Sequence, residues 1–433
     1  MTQSRAGGLP ATAPARQRYR YTLLAATIAG GLAPAYVIRW HVGPLPTTLL
    51  ESALLLTILI FVVETLRPGL PPPLWARVGV GGPLTLPALA FIAAGALSVL
   101  VSGDHRAALG LYRAYFIEPA AFFLIVATIA STPWRAGLIL LGFGVGGAVA
   151  AVLNAAVVLD AIRHHVLDLS TTPPVAIYQT ANAVSLYLVP LVAMASSLLL
   201  YGRGRAVRWL SALFLMIVLP ACLLSFSRGG YLALGAVGLG LAVSHRWAKL
   251  LVPSVVAAAI AVSQVPLIRD RIAYELQALP GNTLDFRIRI WGQTLRMLSH
   301  HPVLGIGLSY FQQAMGPFWQ DLPKVIYPHN IVLNFWAVTG LPGLFAFGWL
   351  VVRAFLLAWQ GWRKHDSDWR PYDLGFILVL LAMLAHGLVD VPFFKNDLSL
   401  EFWALLGMLW AADRRSGRTS PPGEAALYGR GGP

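Results

Sequence analysis

The sequence predicts an all-α, polytopic integral membrane protein of about twelve transmembrane helices with one long extracytoplasmic loop. Three observations predict it. The 433-residue chain is 57% hydrophobic and only 12% charged, about half the charge of a soluble domain, and its mean hydropathy is +0.67. Apolar windows long enough to cross a hydrocarbon core of roughly 30 Å recur from end to end. Arginines collect in alternate connections between those windows, the asymmetry that sets membrane topology. Lipid offers the backbone no hydrogen-bond partner, so each window is expected to be a helix; these windows are not the short alternating segments of a barrel.

In order, apolar spans are read near 21–38, 45–63, 84–101, 114–130, 136–159, 175–200, 209–226, 230–244, 249–266, 331–358, 372–389 and 397–412. The stretch 331–358 is long, and Gly340, Pro342 and Gly343 are expected to divide it. The first span follows Arg5, Arg16, Arg18 and Arg20 and reads as an uncleaved anchor. With the N-terminus in the cytoplasm, cytoplasmic segments collect those four, Arg67, Arg77, Arg135, Arg203, Arg205, Arg208, Arg246 and Lys249. Arg363, Lys364, Arg370, Arg414, Arg415 and Arg418 join them, while the short outside loops hold Arg39, Arg106, Arg113, Arg163, Arg228 and Lys395. Both termini are therefore expected in the cytoplasm, with the protein in the cytoplasmic membrane. The organisation expected is a cytoplasmic tail (1–20), nine spans (21–266), an extracytoplasmic loop (267–330), three spans (331–412) and a disordered cytoplasmic tail (413–433).

The net charge of +14 does not imply nucleic acid, because the basic residues form no continuous stripe. Cys222 is the single cysteine; it has no intramolecular disulfide partner and reads as a small buried hydrophobe. There is no P-loop, no H-E-x-x-H and no paired C-x-x-C. Asp366-Ser367-Asp368 lies beside Arg363, Lys364 and Arg370 and reads as a solvated loop.

The loop 267–330 is the only long hydrophilic segment. Within it Leu284, Ile288, Trp291, Leu295 and Leu298 recur at helical spacing, with Arg287, Arg289, Gln293 and Arg296 between them. That pattern predicts an amphipathic helix resting on the membrane face or on the bundle. Gly305 and Gly307 break the chain after His301-Pro302.

Charges set in apolar surroundings are the candidates for chemistry, because they are costly there. Ser225-Phe226-Ser227-Arg228-Gly229-Gly230 joins two spans with almost no loop. Arg228 is either a tight-turn arginine reaching lipid headgroups or a fixed cation that grips phosphate bidentately. Arg287 and Arg289 are either surface charges of the loop helix or partners of Arg228 in an anion site. His329 follows Pro328 and precedes Asn330 where the loop re-enters the membrane, and an imidazole can take a proton near neutral pH. His300 and His301 are weaker candidates. Glu118, Asp390 and Glu401 stand near span ends and are read as partners for arginines.

Three blocks together resemble the O-antigen ligase and polymerase superfamily of bacterial envelope enzymes. The first is Ser225-x-Ser227-Arg228-Gly229-Gly230 at a helix junction. The second is Arg287-x-x-x-Trp291 followed by His301-Pro302-x-x-Gly305-x-Gly307. The third is His329-Asn330 followed by Thr339-Gly340-Leu341-x-Gly343-Leu344, and Asn182 is a weaker fourth match. The resemblance covers about 225–350. It implies a glycosyltransferase that takes a glycan from undecaprenyl diphosphate on the outer face of the cytoplasmic membrane. The acceptor hydroxyl belongs to lipid A core in ligases, to another repeat unit in polymerases, or to a protein side chain. His329 would be the general base, and Arg228 and Arg287, with Arg289 as the alternative to Arg287, would hold the diphosphate. Asn330 and Ser227 would position substrate. With arginines neutralising the diphosphate no metal or other cofactor is required, and direct attack inverts the anomeric carbon. A transporter of lipid-linked sugars is the reading of another class; it should show its arginines along a path through the membrane rather than on one face.

Overall fold

The structure, a computed structural model, describes residues 19–43, 45–67, 82–167, 173–266, 283–319, 322–364 and 368–415, with Arg269 and Ala273. The tails read as 1–20 and 413–433 lie almost wholly outside the described residues, as do Asp366 and Ser367.

The chain is mostly helical. In order come α1 (Arg20–Gly31), α2 (Leu49–Thr65), α3 (Thr85–Val101), α4 (His105–Ile129), α5 (Pro133–Arg163), α6 (Ala181–Tyr201) and α7 (Arg205–Leu224). They are followed by α8 (Arg228–Ser244), α9 (Ala248–Ser263), α10 (Thr283–His300), α11 (Ile331–Trp362), α12 (Arg370–Gly387) and α13 (Asn396–Arg415). One small element among the described residues is not helical. A small antiparallel hairpin, β1 (Arg39–Val42) with β2 (Leu45–Thr48), follows α1. Here the chain reverses through Gly43 at φ 60°, a conformation glycine adopts freely. Helix α2 therefore starts at Leu49 rather than 45, where Thr48 and Glu51 form a capping box.

Among the described residues, five helices are long and apolar enough to cross a membrane: α4, α5, α6, α7 and α11. Helices α3 and α8 are apolar but shorter. The remaining helices of the expected dozen are short or carry polar groups inside the bundle. Asp373 in α12 and Asp397, Glu401 and Asp413 in α13 are all buried. Such groups lower the hydropathy of a helix that nevertheless lies in the core.

Helices α6 and α12 form the centre. They pack along one another, and 78% of the apolar window of α6 is buried, against 28% for the peripheral α7. Helix α8 packs on α12, α13 on α4, α1 on α5, and α11 on both α3 and α12. An aromatic cluster binds α3, α4, α11 and α13 together. Phe91, Phe116, Phe335, Phe347, Phe393 and Trp403 lie with ring centroids 4.1 to 6.3 Å apart. Phe393 is fully buried, which anchors the α12–α13 connection that carries Asp390.

Gly340 divides α11 as the sequence predicts, with φ 66° and ψ −176°, a region open essentially to glycine alone. The turn after α10 fills the kink. The Leu341 amide donates to the Val303 carbonyl at 2.8 Å, the Ile306 amide to the Ala337 carbonyl at 2.8 Å, and Trp336 Nε1 to the Pro302 carbonyl at 2.7 Å. A Cβ on Gly340 would meet Val303 O at 2.6 Å. Gly340→Ala is therefore expected to destabilise the protein by about 1–3 kcal/mol, read as a lower unfolding temperature in detergent.

Candidate functional site

The candidate residues lie at one end of the bundle, where α6 begins, α7 turns into α8, α10 passes over, α11 begins and α12 ends. The turn Ser225–Gly230 is shaped by its own side chains. Phe226 takes φ 51°, and Ser225 Oγ lies 2.9 Å from Ser185 Oγ of α6. Ser227 caps α8, its Oγ accepting from the Gly230 amide at 3.1 Å. Gly229 has no room for a side chain, since a Cβ there would meet His386 Nε2 at 2.6 Å. Arg228 is thus fixed at the first position of α8, half-buried.

From Ser227 a chain of polar contacts crosses the site. Ser227 Oγ donates to Asn182 Oδ1 at 2.7 Å. Asn182 Nδ2 donates to Asp390 Oδ2 at 2.7 Å. Asp390 Oδ1 lies 3.5 Å from His329 Nδ1, long for a hydrogen bond and short enough for an ion pair when the ring is protonated. Asp390 is 2% exposed and also accepts from the Val391 amide at 2.9 Å. Burial alone would raise its carboxyl, but the adjoining His329 ring, with His386 and Arg287, holds it well below the usual carboxylate range.

His329 takes φ 53°, a left-handed conformation that is uncommon for residues other than glycine and is often found at functional sites. Its ring packs against Tyr327, with centroids 4.7 Å apart, and Phe286, at 6.1 Å. Burial pushes the Tyr327 phenol up, so it stays a neutral hydroxyl. With Nδ1 turned to Asp390, Nε2 is the ring nitrogen left for a substrate.

The loop helix is amphipathic, with one side against the bundle and the other exposed. Arg287, Ile290, Thr294, Met297 and Leu298 are buried, while Leu284, Ile288 and Leu295 of the expected apolar stripe are 40%, 57% and 49% exposed. The helix turns Arg287 into the bundle because the chain on either side is pinned. Trp291 Nε1 donates to the Pro328 carbonyl at 3.0 Å, and the turn after it is seated in the α11 kink. Arg287 is 7% exposed and bears electrostatically on Asp390, Tyr327 and His386. Arg289 points elsewhere; its side chain is 42% exposed and lies 3.8 Å from Asp285.

Asn330 and Ser227 serve the scaffold. Asn330 caps α11, accepting from the Leu333 amide at 3.1 Å, and donates to the Leu388 carbonyl at 3.1 Å. Both bonds fix the backbone on either side of His329 and Asp390. Of the three acids read as arginine partners, Glu118 does pair with Arg113 at 3.1 Å. Asp390 feels the charge of Arg287, and its hydrogen-bond and ion-pair contacts are Asn182, the Val391 amide and His329. Glu401 is buried on α13. His300 stacks near Phe318, its ring 5.9 Å away, while His301 is exposed beside Pro302.

The sequence points to Asp390 only as a partner for an arginine, and Tyr327 and His386 carry no signal there. Asp390 offered one usable signal, an acid just beyond an apolar run in a chain with few acids; its partners are 208 and 61 positions away in sequence.

The site's arrangement suits transfer from a phosphorylated donor. Cations near a base, close to a buried carboxylate that orients it, can stabilise a departing diphosphate while a hydroxyl loses its proton. No curated protein matches the chain. The family model described as O-antigen ligase matches residues 213–348, from within α7 to beyond the Gly340 kink of α11. That stretch holds Ser227, Arg228, Arg287, Arg289, His329 and Asn330, and ends before Asp390. The stretch that carries these residues is thus similar to the O-antigen ligase family, as the sequence blocks predict.

Proposed function

We propose that this protein moves a glycan from undecaprenyl diphosphate to an acceptor hydroxyl, on lipid A core or another surface glycan, at the outer face of the cytoplasmic membrane. The single observation that carries this reading is the contact chain Ser227–Asn182–Asp390–His329. It runs from the residue beside Arg228 to the proposed base. The family-model match over 213–348 supports lipid-linked glycan chemistry in general.

The acceptor oxygen attacks the anomeric carbon as the carbon–oxygen bond to phosphate breaks. The acceptor proton passes to His329 Nε2, and undecaprenyl diphosphate departs with the bonding electrons. Arg228 and Arg287 neutralise the charge that develops on the diphosphate; Arg289, turned to Asp285, is set aside. Asp390 holds the imidazole in the tautomer with a proton on Nδ1 and stabilises the imidazolium that forms. Asn182, Ser227 and Asn330 are positioning residues.

Purified protein in detergent, given an undecaprenyl diphosphate glycan and EDTA, tests the reading. Product on added lipid A core identifies a ligase, and a ladder without added acceptor identifies a polymerase. No product with any acceptor, while donor still binds, would overturn the enzyme reading in favour of a transporter.

Asp390 also predicts a pH effect. Its folded pKa lies below that of the unfolded chain, near 3.9. Its stabilisation is therefore full above that value and fades as pH falls from there through the lower folded one. Asp390→Asn is expected to flatten the fall of the unfolding temperature in acid, which a thermal-shift series across pH measures.

A further inference from the structure

At the end of the bundle opposite the candidate site, a cavity of about 730 Å³ opens between the first halves of α5 and α7, with α6 behind it. Along α5 its lining runs from Pro133 to Ala148, roughly 23 Å of helix. That is more than half of a hydrocarbon core of roughly 30 Å. The walls are apolar, with Leu141, Val145, Leu210 and Phe214 among them, and Gly144 and Ala195 keep the groove open.

The mouth differs from the walls. Arg203 lines it and pairs with Asp368 at 2.7 Å. Arg208 folds back so that its Nε donates at 2.9 Å to the carbonyl of Gly202, another lining residue. Arg205 opens α7, whose first turn has no side-chain cap. Among the described residues at this end, Arg203, Arg205 and Arg208 stand with Asp368, and Arg135, Arg370 and the buried Asp373 lie on the first turns of α5 and α12 beside them, so arginines outnumber carboxylates. Trp134 and Trp209, 68% and 70% exposed, lie in the opening turns of α5 and α7. Exposed tryptophans of this kind mark the headgroup region, and basic pockets between membrane helices suit anionic headgroups.

We infer that this groove is a binding site for one anionic phospholipid of the leaflet opposite the glycan site, its phosphate at Arg203 and Arg208 and an acyl chain between α5 and α7. The inference is independent of the proposed transfer reaction. The apolar walls account for a hydrocarbon chain, and the arginine excess accounts for preference by charge.

Native mass spectrometry of the delipidated full-length protein tests it, with phosphatidylglycerol and phosphatidylethanolamine titrated separately. The expected result is one retained phosphatidylglycerol and no comparable retention of phosphatidylethanolamine. Arg203→Gln with Arg208→Gln should weaken retention by roughly tenfold, the scale of one charge-assisted hydrogen bond. Ala206→Trp, at an exposed position on the groove wall, should abolish it, while Leu232→Trp on the exposed face of α8 should not. Equal retention of both lipids, or retention indifferent to Ala206→Trp, would reduce the groove to ordinary annular contact. Retention of a polyprenyl chain or a second copy of the protein in its place would also overturn the inference.

Discussion

Replacing His329 by alanine lowers glycan transfer by about 10²–10⁴, the usual contribution of a positioned general base, while donor binding persists. The residue sits where loop backbone enters α11, in a left-handed conformation, with Nδ1 directed to a buried carboxylate 3.5 Å away. The substitution removes the proton acceptor and leaves both arginines in place, so the loss belongs in the chemical step. His329→Gln, which keeps polarity and similar bulk but cannot accept the proton near neutral pH, is expected to fare little better. A transfer assay beside a donor-binding measurement separates the two effects.

Arg228→Ala and Arg287→Ala each lower transfer by about 10²–10³, the scale seen when one preorganised group that stabilises developing charge is removed. Arg289→Ala stays close to wild type. The contrast rests on burial: Arg287 is 7% exposed and bears on Asp390 and Tyr327, whereas the Arg289 side chain is 42% exposed beside Asp285. The double variant Arg228→Ala/Arg287→Ala falls short of the product of the single losses, because groups that act as a unit are not additive. Lysine at either position restores charge without the bidentate geometry and recovers only part of the rate. Rates for this series with one donor preparation make the comparison.

Much of the site was legible in sequence because its residues lie in short local blocks. The Ser225–Gly230 turn encodes its shape in six positions, through a serine cap, an arginine and two small residues. The four-residue spacing of Arg287 to Trp291 separated Arg287 from Arg289, and in the structure Trp291 pins that helix by bonding the Pro328 carbonyl. The division of α11 was legible from Gly340 itself. What stayed hidden depended on distant packing. Asp390 reaches His329 only because the aromatic cluster anchors the α12–α13 connection, and hydropathy does not encode that pairing. Of the stripe Leu284, Ile288, Trp291, Leu295 and Leu298, read as resting on the membrane face or on the bundle, Leu298 meets the bundle while Leu284, Ile288 and Leu295 are exposed. Periodicity tells which residues share a face, and only the neighbouring turns decide which face meets the bundle. The hairpin 39–48 was missed because its two four-residue strands are shorter than any periodic signal.

The proposed reaction is a single displacement at the anomeric carbon with His329 taking the acceptor proton. The most direct test is the configuration of the new linkage, read by NMR from product made by purified protein with a donor of defined anomeric configuration. Inversion is expected from the wild type and, at matched donor occupancy, product from His329→Ala reduced by about 10² or more. Retention of configuration, or undiminished product from folded His329→Ala protein, would contradict it.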